Sequence, residues 1–135
     1  MKSDNRLSLS LFLLRLSVFL VMLMWTLDKF VRPEHAAAVY EKFYFISGFN
    51  NSIFYLIGLV QLAIIIGFLL GFKKTWTYGA VLVFHAISTF STFQQYLAPF
   101  TDNNLLFYAA LPMLAACFAL YYLRDLDTKW VIDNR

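Results

Sequence analysis

Long apolar stretches separated by short polar turns dominate this chain. Four of them cover approximately residues 7–30, 52–72, 75–98 and 105–123. A helix of about 20 apolar residues crosses the ~30 Å hydrocarbon core of a bilayer, and its backbone polar groups are all paired within the helix. The pattern therefore predicts an all-α integral membrane protein, with residues 1–135 forming one membrane domain built as a four-helix bundle.

Composition supports a membrane environment and excludes several other classes of protein. Hydrophobic residues make up 61% of the 135 residues and charged residues 14%, whereas soluble domains average about 25% charged residues. The net charge is only +3, and the basic residues lie in turns and tails, so we expect no nucleic-acid binding. A single cysteine, Cys117, excludes an internal disulfide. The first stretch is too long for a signal-peptide core, which predicts a retained anchor helix.

The polar connections predict how the chain is oriented. Residues 34–45 have helical spacing, which predicts a short amphipathic helix at the membrane interface between spans 1 and 2. With four spans, one side holds Lys2, Arg6, Lys73, Lys74, Arg124, Lys129 and Arg135. The other side holds Lys29, Arg32 and Lys42. The positive-inside rule then predicts that both termini are cytoplasmic.

The third apolar stretch carries a polar stripe along one helix face. Its members follow the spacing i, i+3, i+4, i+7, i+10 and i+11, and they are His85, Ser88, Thr89, Thr92, Gln95 and Tyr96. A helix in a membrane must turn such a stripe toward other helices or toward a water-filled cavity. The sequence leaves open whether the stripe faces the bundle interior or a second protomer.

Three predicted helices place a polar side chain at a similar depth. At a rise of 1.5 Å per residue, Arg15, His85 and Gln61 lie roughly 12, 13 and 16 Å from the cytoplasmic ends of their helices. A second polar group lies near the opposite end and comprises Asp28, Lys29, Gln95 and Tyr96. We therefore predict a pocket between the helices that opens outward from a floor formed by the first three residues.

These polar residues also have simpler interpretations. Arg15 can extend its charged head to cytoplasmic headgroups, and His85 can bond a neighbouring helix. The hydroxyl groups of the stripe can bond carbonyls of their own helix, while Asp28 and Lys29 can anchor the first span at the interface. A haem is not expected because the other histidine, His35, lies in the loop, and no Cys/His cluster predicts a metal.

Two segments of the chain carry a more specific pattern. The segment LLRLSVFLVMLMWTLDKFVRPEHA has an early arginine and a terminal lysine–aromatic pair, here Arg15 and Lys29–Phe30. The segment LIGLVQLAIIIGFLLGF follows in the second span. Both resemble the DoxX-like family of small bacterial inner-membrane proteins, with Gln61 and Thr26 replacing an acidic residue and a glycine. The RLS, MW and KF elements are most similar to the branch linked to reactive-chlorine resistance.

The resemblance implies a four-helix bundle in the bacterial inner membrane. Members of the family are variously associated with thiosulfate–quinone oxidoreduction, with oxidative-stress resistance, and with assembly or trafficking of other membrane proteins. We therefore expect a small lipophilic or quinone-like ligand in a redox or oxidative-stress context. Its carbonyl groups would take hydrogen bonds from donors such as Arg15 and His85 within apolar walls.

The predicted ligand-binding residues are Arg15, Trp25, Asp28, Lys29, Gln61, His85, Ser88, Thr89, Thr92 and Gln95. We expect no catalytic residue and no metal ligand, so the protein is at most a subunit of a quinone-linked oxidoreductase, with quinone as its candidate cofactor. Two alternatives stay open: an assembly or interaction factor without a ligand, and an oligomeric transporter of a small solute. The expected partners are the lipid bilayer, a membrane or periplasmic protein, and further copies of the chain.

Overall fold

The computed structural model describes the backbone of residues 2–132 and the side chains of residues 5–132, and within this part of the chain it contains helices and no strand. The all-α prediction is therefore confirmed. The helices are α1 (Lys2–Val31), α2 (Pro33–Tyr44), α3 (Asn51–Leu70), α4 (Lys74–Ser91), α5 (Phe93–Leu97) and α6 (Ala110–Tyr122). The 3₁₀ turns Asn104–Ala109 and Arg124–Leu126 flank α6.

Three of the described helical segments are long and apolar enough to cross a membrane. They are Asn5–Val31, Asn51–Leu70 and Asn104–Tyr122, the last including the 3₁₀ turn before α6. Length and composition thus indicate a membrane protein with transmembrane helices. The predicted third span, now α4, is not among the three, because Lys74, His85 and its hydroxyl residues make it less apolar.

Local sequence explains where the helices begin and end. The Asn50 side chain accepts a hydrogen bond from the Ile53 N–H and so caps the start of α3. Gly71 ends α3 in the left-handed conformation, with φ +68°. The predicted stretch 75–98 is divided at Thr92 into α4 and α5. At this break the Thr92 hydroxyl donates to the carbonyl of Thr89.

The longer helices pack around one apolar core. α1 contacts α3 and α6, α4 contacts α3 and α6, and α2 lies against α1, α3 and α4. The buried core side chains come from α1, α3, α4 and α6, and they are Leu11, Val18, Ile65, Phe68, Tyr78, Val81, Cys117 and Leu120. Below, the basal end is the end where α3 passes into α4, and the α2 end is the end where α1 passes into α2.

The basic residues used to predict orientation are only partly visible in the structure. The side chain of Lys2 and residue Arg135 lie outside the described residues. Lys73 and Lys74 occupy the turn between α3 and α4 at the basal end, and Lys73 has a left-handed φ of 50°. The chain that follows α6 returns to the same end, because the Ile132 N–H donates to the carbonyl of Leu70 at 2.9 Å.

We expect Gly71→Ala to destabilise the protein more than Gly48→Ala. Both glycines have positive φ, +68° and +86°, so each alanine costs about 1–2 kcal/mol of left-handed strain. At Gly71 a Cβ would also lie 2.5 Å from Val131 Cγ1, whereas at Gly48 it meets nothing within 4 Å. Thermal unfolding in detergent measures both variants, and equal losses of Tm would contradict the packing of Val131 on this turn.

Candidate functional site

A buried ion pair at the basal end joins α1 to the chain after α6. Arg15 and Asp127 are both fully buried, and Arg15 Nη1 donates to Asp127 Oδ1 at 2.8 Å. Arg15 Nη2 donates to the carbonyl oxygens of Lys129 at 2.6 Å and Trp130 at 3.3 Å. Removing two charges from water is costly, and these additional bonds offset part of that cost. Arg15 Nε is buried without a partner among the described residues.

Helix α4 adds two side chains to the same cluster. The Tyr78 hydroxyl donates to Asp127 Oδ2 at 2.6 Å. Buried Lys74 donates through Nζ to the carbonyl oxygens of Asp127 at 2.5 Å and Arg124 at 3.1 Å. Asp127 therefore connects α1, α4 and the chain end through both carboxylate oxygens and its own carbonyl. We call Arg15, Lys74, Tyr78 and Asp127 the basal cluster.

The chain that supplies Asp127 lies across the basal end. We call residues 124–132 the C-terminal strap. The Trp130 ring packs edge-on against Phe12 of α1, with ring centroids 4.6 Å apart. Val131 covers Gly71, and the Ile132 N–H bonds the last turn of α3. The strap thus contacts α1, the end of α3 and the start of α4.

A second polar group surrounds Asp28 at the α2 end. Arg32 Nε donates to Asp28 Oδ1 at 2.8 Å, and His35 Nδ1 lies 2.5 Å from Asp28 Oδ2. Pro33 begins α2, and the turn places His35 beside Trp25, with the rings stacked at a centroid distance of 6.2 Å. These contacts fix the junction of α1 and α2.

Two surface cavities lie in line along one face of α1. A small cavity of about 170 Å³ is lined by Met24, Trp25, Asp28 and Arg32. A larger, open groove of about 660 Å³ is lined by Ser10, Leu13, Leu14, Leu16, Ser17 and Leu20. Residues 10, 14, 17, 24 and 28 are separated by three, four or seven positions, so they share one helix face. The structure brings Trp25 and Asp28 together at this cavity.

Lys29, also a predicted ligand residue, faces α2 instead. It is buried, its Nζ lies 3.5 Å from the carbonyl oxygen of Trp25, and it lies 5.8 Å from the centroid of the Tyr40 ring. Burial raises the pKa of the Tyr40 hydroxyl above its ordinary value. This contact helps α2 to dock on α1.

The polar stripe of α4 is turned toward neighbouring helices. His85 Nε2 donates to the carbonyl oxygen of Ala110 at 2.9 Å, because a carbonyl can only accept. The Ser88 and Tyr44 hydroxyls share a hydrogen bond of 2.9 Å. Thr89 and Thr92 donate to the carbonyls of His85 and Thr89 in their own helix. The stripe therefore holds α4 against α6 and α2.

The predicted floor of Arg15, Gln61 and His85 is not a hydrogen-bonded group in this structure. Arg15 bonds the strap, His85 bonds α6, and Gln61 is half-buried without a side-chain hydrogen bond among the described residues. Farther along α5, Gln95 Oε1 and the Tyr96 hydroxyl are buried, also with no partner among those residues. None of the three predicted floor residues is therefore hydrogen-bonded to another of them among the described residues.

The sequence prediction missed several residues that these groups depend on, namely Arg32, His35, Lys74, Tyr78 and Asp127. One signal was available: an arginine inside an apolar helix needs an opposite charge or carbonyl oxygens. The tail offers Asp125, Asp127 and Asp133 as candidates, and spacing along the chain could not choose among them.

Comparisons of the chain with protein-family models, with curated proteins and with solved structures found no match. The resemblance to the DoxX-like family and the binding of a ligand therefore stay predictions.

We expect Asp127→Ala to destabilise the protein by about 3–5 kcal/mol, because Arg15 is then left buried without its counter-ion. Asp125→Ala is the matched control, since Asp125 is exposed and two residues away. The double variant Arg15→Met/Asp127→Leu should recover part of the loss, since no unpaired charge remains. Unfolding in detergent measures all three, and equal stability of the two alanine variants would contradict the cluster.

Proposed function

We propose that this chain is a DoxX-like, multi-pass protein of the bacterial inner membrane that binds a small lipophilic molecule with a polar head, such as a quinone, on the outer face of α1. The observation that carries the proposal is the alignment of the small Trp25–Asp28 cavity with the long apolar groove on the same helix face. The site differs from the pocket between helices that the sequence suggested.

The small cavity offers groups that suit a polar, flat head. Arg32 is 63% exposed, and only its Nε is bonded among the described residues, so both terminal nitrogens remain available to a carbonyl or anionic oxygen. Asp28 holds the guanidinium in place, and Trp25 with Met24 supplies an apolar wall. An aromatic surface beside a positioned donor is the usual composition of a site for an oxygen-bearing ring.

The groove suits the apolar remainder of such a molecule. Its lining is four leucines and two serines, all from α1, and it is an open groove with a volume of about 660 Å³. It lies on an apolar helix that is long enough to span a bilayer. A lipophilic tail in the groove would therefore stay in a hydrocarbon environment while the head reaches the membrane interface.

The packing of α4 supports a fourth span with both termini on one side of the membrane, which the positive-inside rule makes the cytoplasmic side. Lys74 bonds the strap at the basal end, and Ser88 bonds Tyr44 of α2 at the other end, so α4 extends between the two ends. Its polar side chains are bonded inside the protein, which removes the main cost of placing them in a membrane. α2 would then lie at the periplasmic interface, as its amphipathic pattern suggests.

A four-span topology requires both ends of the chain on one side of the membrane, whereas three spans would place them on opposite sides. In a Cys117→Ala background, we expect cysteines introduced at Asn5 and Thr128 to resist a membrane-impermeant maleimide in intact cells. A cysteine at Gly48 should react. Labelling at position 128 from outside, without labelling at position 5, would contradict the fourth span.

We expect Trp25→Ala and Arg32→Gln each to reduce the amount of co-purified lipophilic ligand at least fivefold, because each removes one side of the head cavity. Mass spectrometry of the detergent-purified protein measures this ligand. Trp76→Ala and Arg6→Gln are matched controls, because these exposed residues lie outside the cavity lining and should leave the ligand content unchanged.

A result in which His85→Ala loses the ligand while Trp25→Ala and Arg32→Gln keep it would contradict the α1 site. Such a result would favour the pocket between the helices. A preparation that contains bulk phospholipid alone, in equal amount in every variant, would contradict ligand binding at either place.

A second candidate function, an assembly or interaction factor, is favoured by exposed apolar side chains in the connections at the α2 end. Phe45, Leu97 and Phe100 are 79%, 80% and 90% exposed. Exposed large apolar side chains suit contacts with other proteins or with lipid. We expect a stoichiometric membrane partner, if this function holds, to be lost from pull-downs of Phe45→Ser and retained by Phe72→Ser, an exposed residue at the basal end.

A further inference from the structure

The C-terminal strap is held mainly by polar bonds. Three of its apolar side chains, Leu126, Trp130 and Ile132, are 50%, 68% and 66% exposed, and Val131 is half-buried against Gly71, whereas Asp127 is fully buried. A buried ion pair gives little net stability once its desolvation cost is included, and a segment that buries few apolar groups opens before the core does. The strap should therefore open without unfolding of the helices.

Opening of the strap would expose a set of donors that remain in place on rigid helices. Arg15 is on α1, and Lys74 and Tyr78 are on α4, one helical turn apart. In the closed state, Arg15 and Tyr78 each donate to a different oxygen of one carboxylate, at 2.8 and 2.6 Å. Arg15 Nε is also buried and has no partner among the described residues. Lys74 donates to the backbone carbonyl oxygen of Asp127 and so lies beside the carboxylate. A guanidinium and a hydroxyl that converge on one position, with a second cation beside them, form a receptor for an oxyanion.

We propose that the basal cluster is an anion-binding site for a carboxylate or phosphate group, and that Asp127 occupies this site as an internal ligand while the strap is closed. An external anion binds only when the strap opens, so the strap controls access. The anion can be a soluble carboxylate or phosphate, or the phosphate of a lipid headgroup. The site is on a different face of α1 from the apolar groove and does not depend on the function proposed above.

The first test uses the wild-type full chain in neutral detergent and follows hydrogen exchange of the strap. The Ile132 amide donates to the carbonyl of Leu70 in α3, so its exchange reports opening of the strap. The Asp127 amide donates to the carbonyl of Arg124 within the strap, so its exchange reports unfolding of the opened strap itself. Sodium phosphate or acetate should accelerate their exchange, by about tenfold when the anion is at ten times its Kd, relative to sodium chloride of equal ionic strength. Amides in the middle of α3 should show no change.

The second test replaces the internal ligand. Asp127→Ala leaves an empty position between Arg15 and Tyr78, so acetate or phosphate should raise the Tm of this variant more than that of the wild type, again against chloride. The double variant Arg15→Gln/Asp127→Ala should lose the rescue. If Asp127→Ala does not fold, the wild-type exchange measurement decides by itself.

A third experiment distinguishes a lipid headgroup from a soluble anion as the ligand. The same exchange measurement is made in vesicles of phosphatidylcholine alone and of phosphatidylcholine with phosphatidylglycerol. Acceleration by phosphatidylglycerol but not by soluble phosphate or acetate would assign the site to a lipid headgroup, and the reverse would assign it to a soluble anion. Strap exchange that none of these anions accelerates, together with absence of any rescue of Asp127→Ala, would overturn the proposal.

Discussion

The structure depends on how one positive charge is neutralised inside an apolar helix. Arg15 lies within a segment long and apolar enough to span a bilayer, where a charge costs roughly 2.5–3.5 kcal/mol on insertion scales. Its counter-ion, Asp127, is 112 positions later in the chain. The chain end must therefore return to α1, and this return brings Trp130 onto Phe12 and Val131 onto Gly71. The pair thus sets the arrangement of the whole basal end.

At each end of the molecule a carboxylate is paired with cationic side chains, but the two groups differ in their exposure to solvent. At the basal end, donors from α1 and α4 converge on Asp127 and are shielded from water by the strap. At the α2 end, Asp28 is bonded by Arg32 and His35, but Arg32 remains largely exposed beside a cavity. The closed cluster constrains the fold, whereas the partly open one leaves both terminal nitrogens of Arg32 without a hydrogen bond among the described residues.

Helix α4 gains its stability from partners rather than from apolar composition. This helix is less apolar than the three described helical segments that can cross a membrane. Its polar side chains form hydrogen bonds with α2, with α6, with the strap or with its own backbone. The stripe that suggested a ligand pocket therefore also serves to hold helices together. Gln95 and Tyr96, at its far end, keep buried atoms without partners in the described part of the chain.

The sequence by itself predicted the all-α class and apolar helices suited to a membrane, because apolar runs and the positions of proline and glycine act over a few residues, but it did not predict the division of residues 75–98 into α4 and α5. It also identified Arg15, Trp25 and Asp28 as unusual, since a charge inside an apolar helix, and a charged and an aromatic side chain near the end of that helix, are visible in any window of the sequence. Only the tertiary structure decided the partners: Asp127 for Arg15, Ala110 for His85, and His35 for Asp28. Those pairs depend on how each helix is rotated about its axis and on the path of the segment after α6. The depth of a residue along its helix, which the sequence gives, determines neither the rotation nor that path.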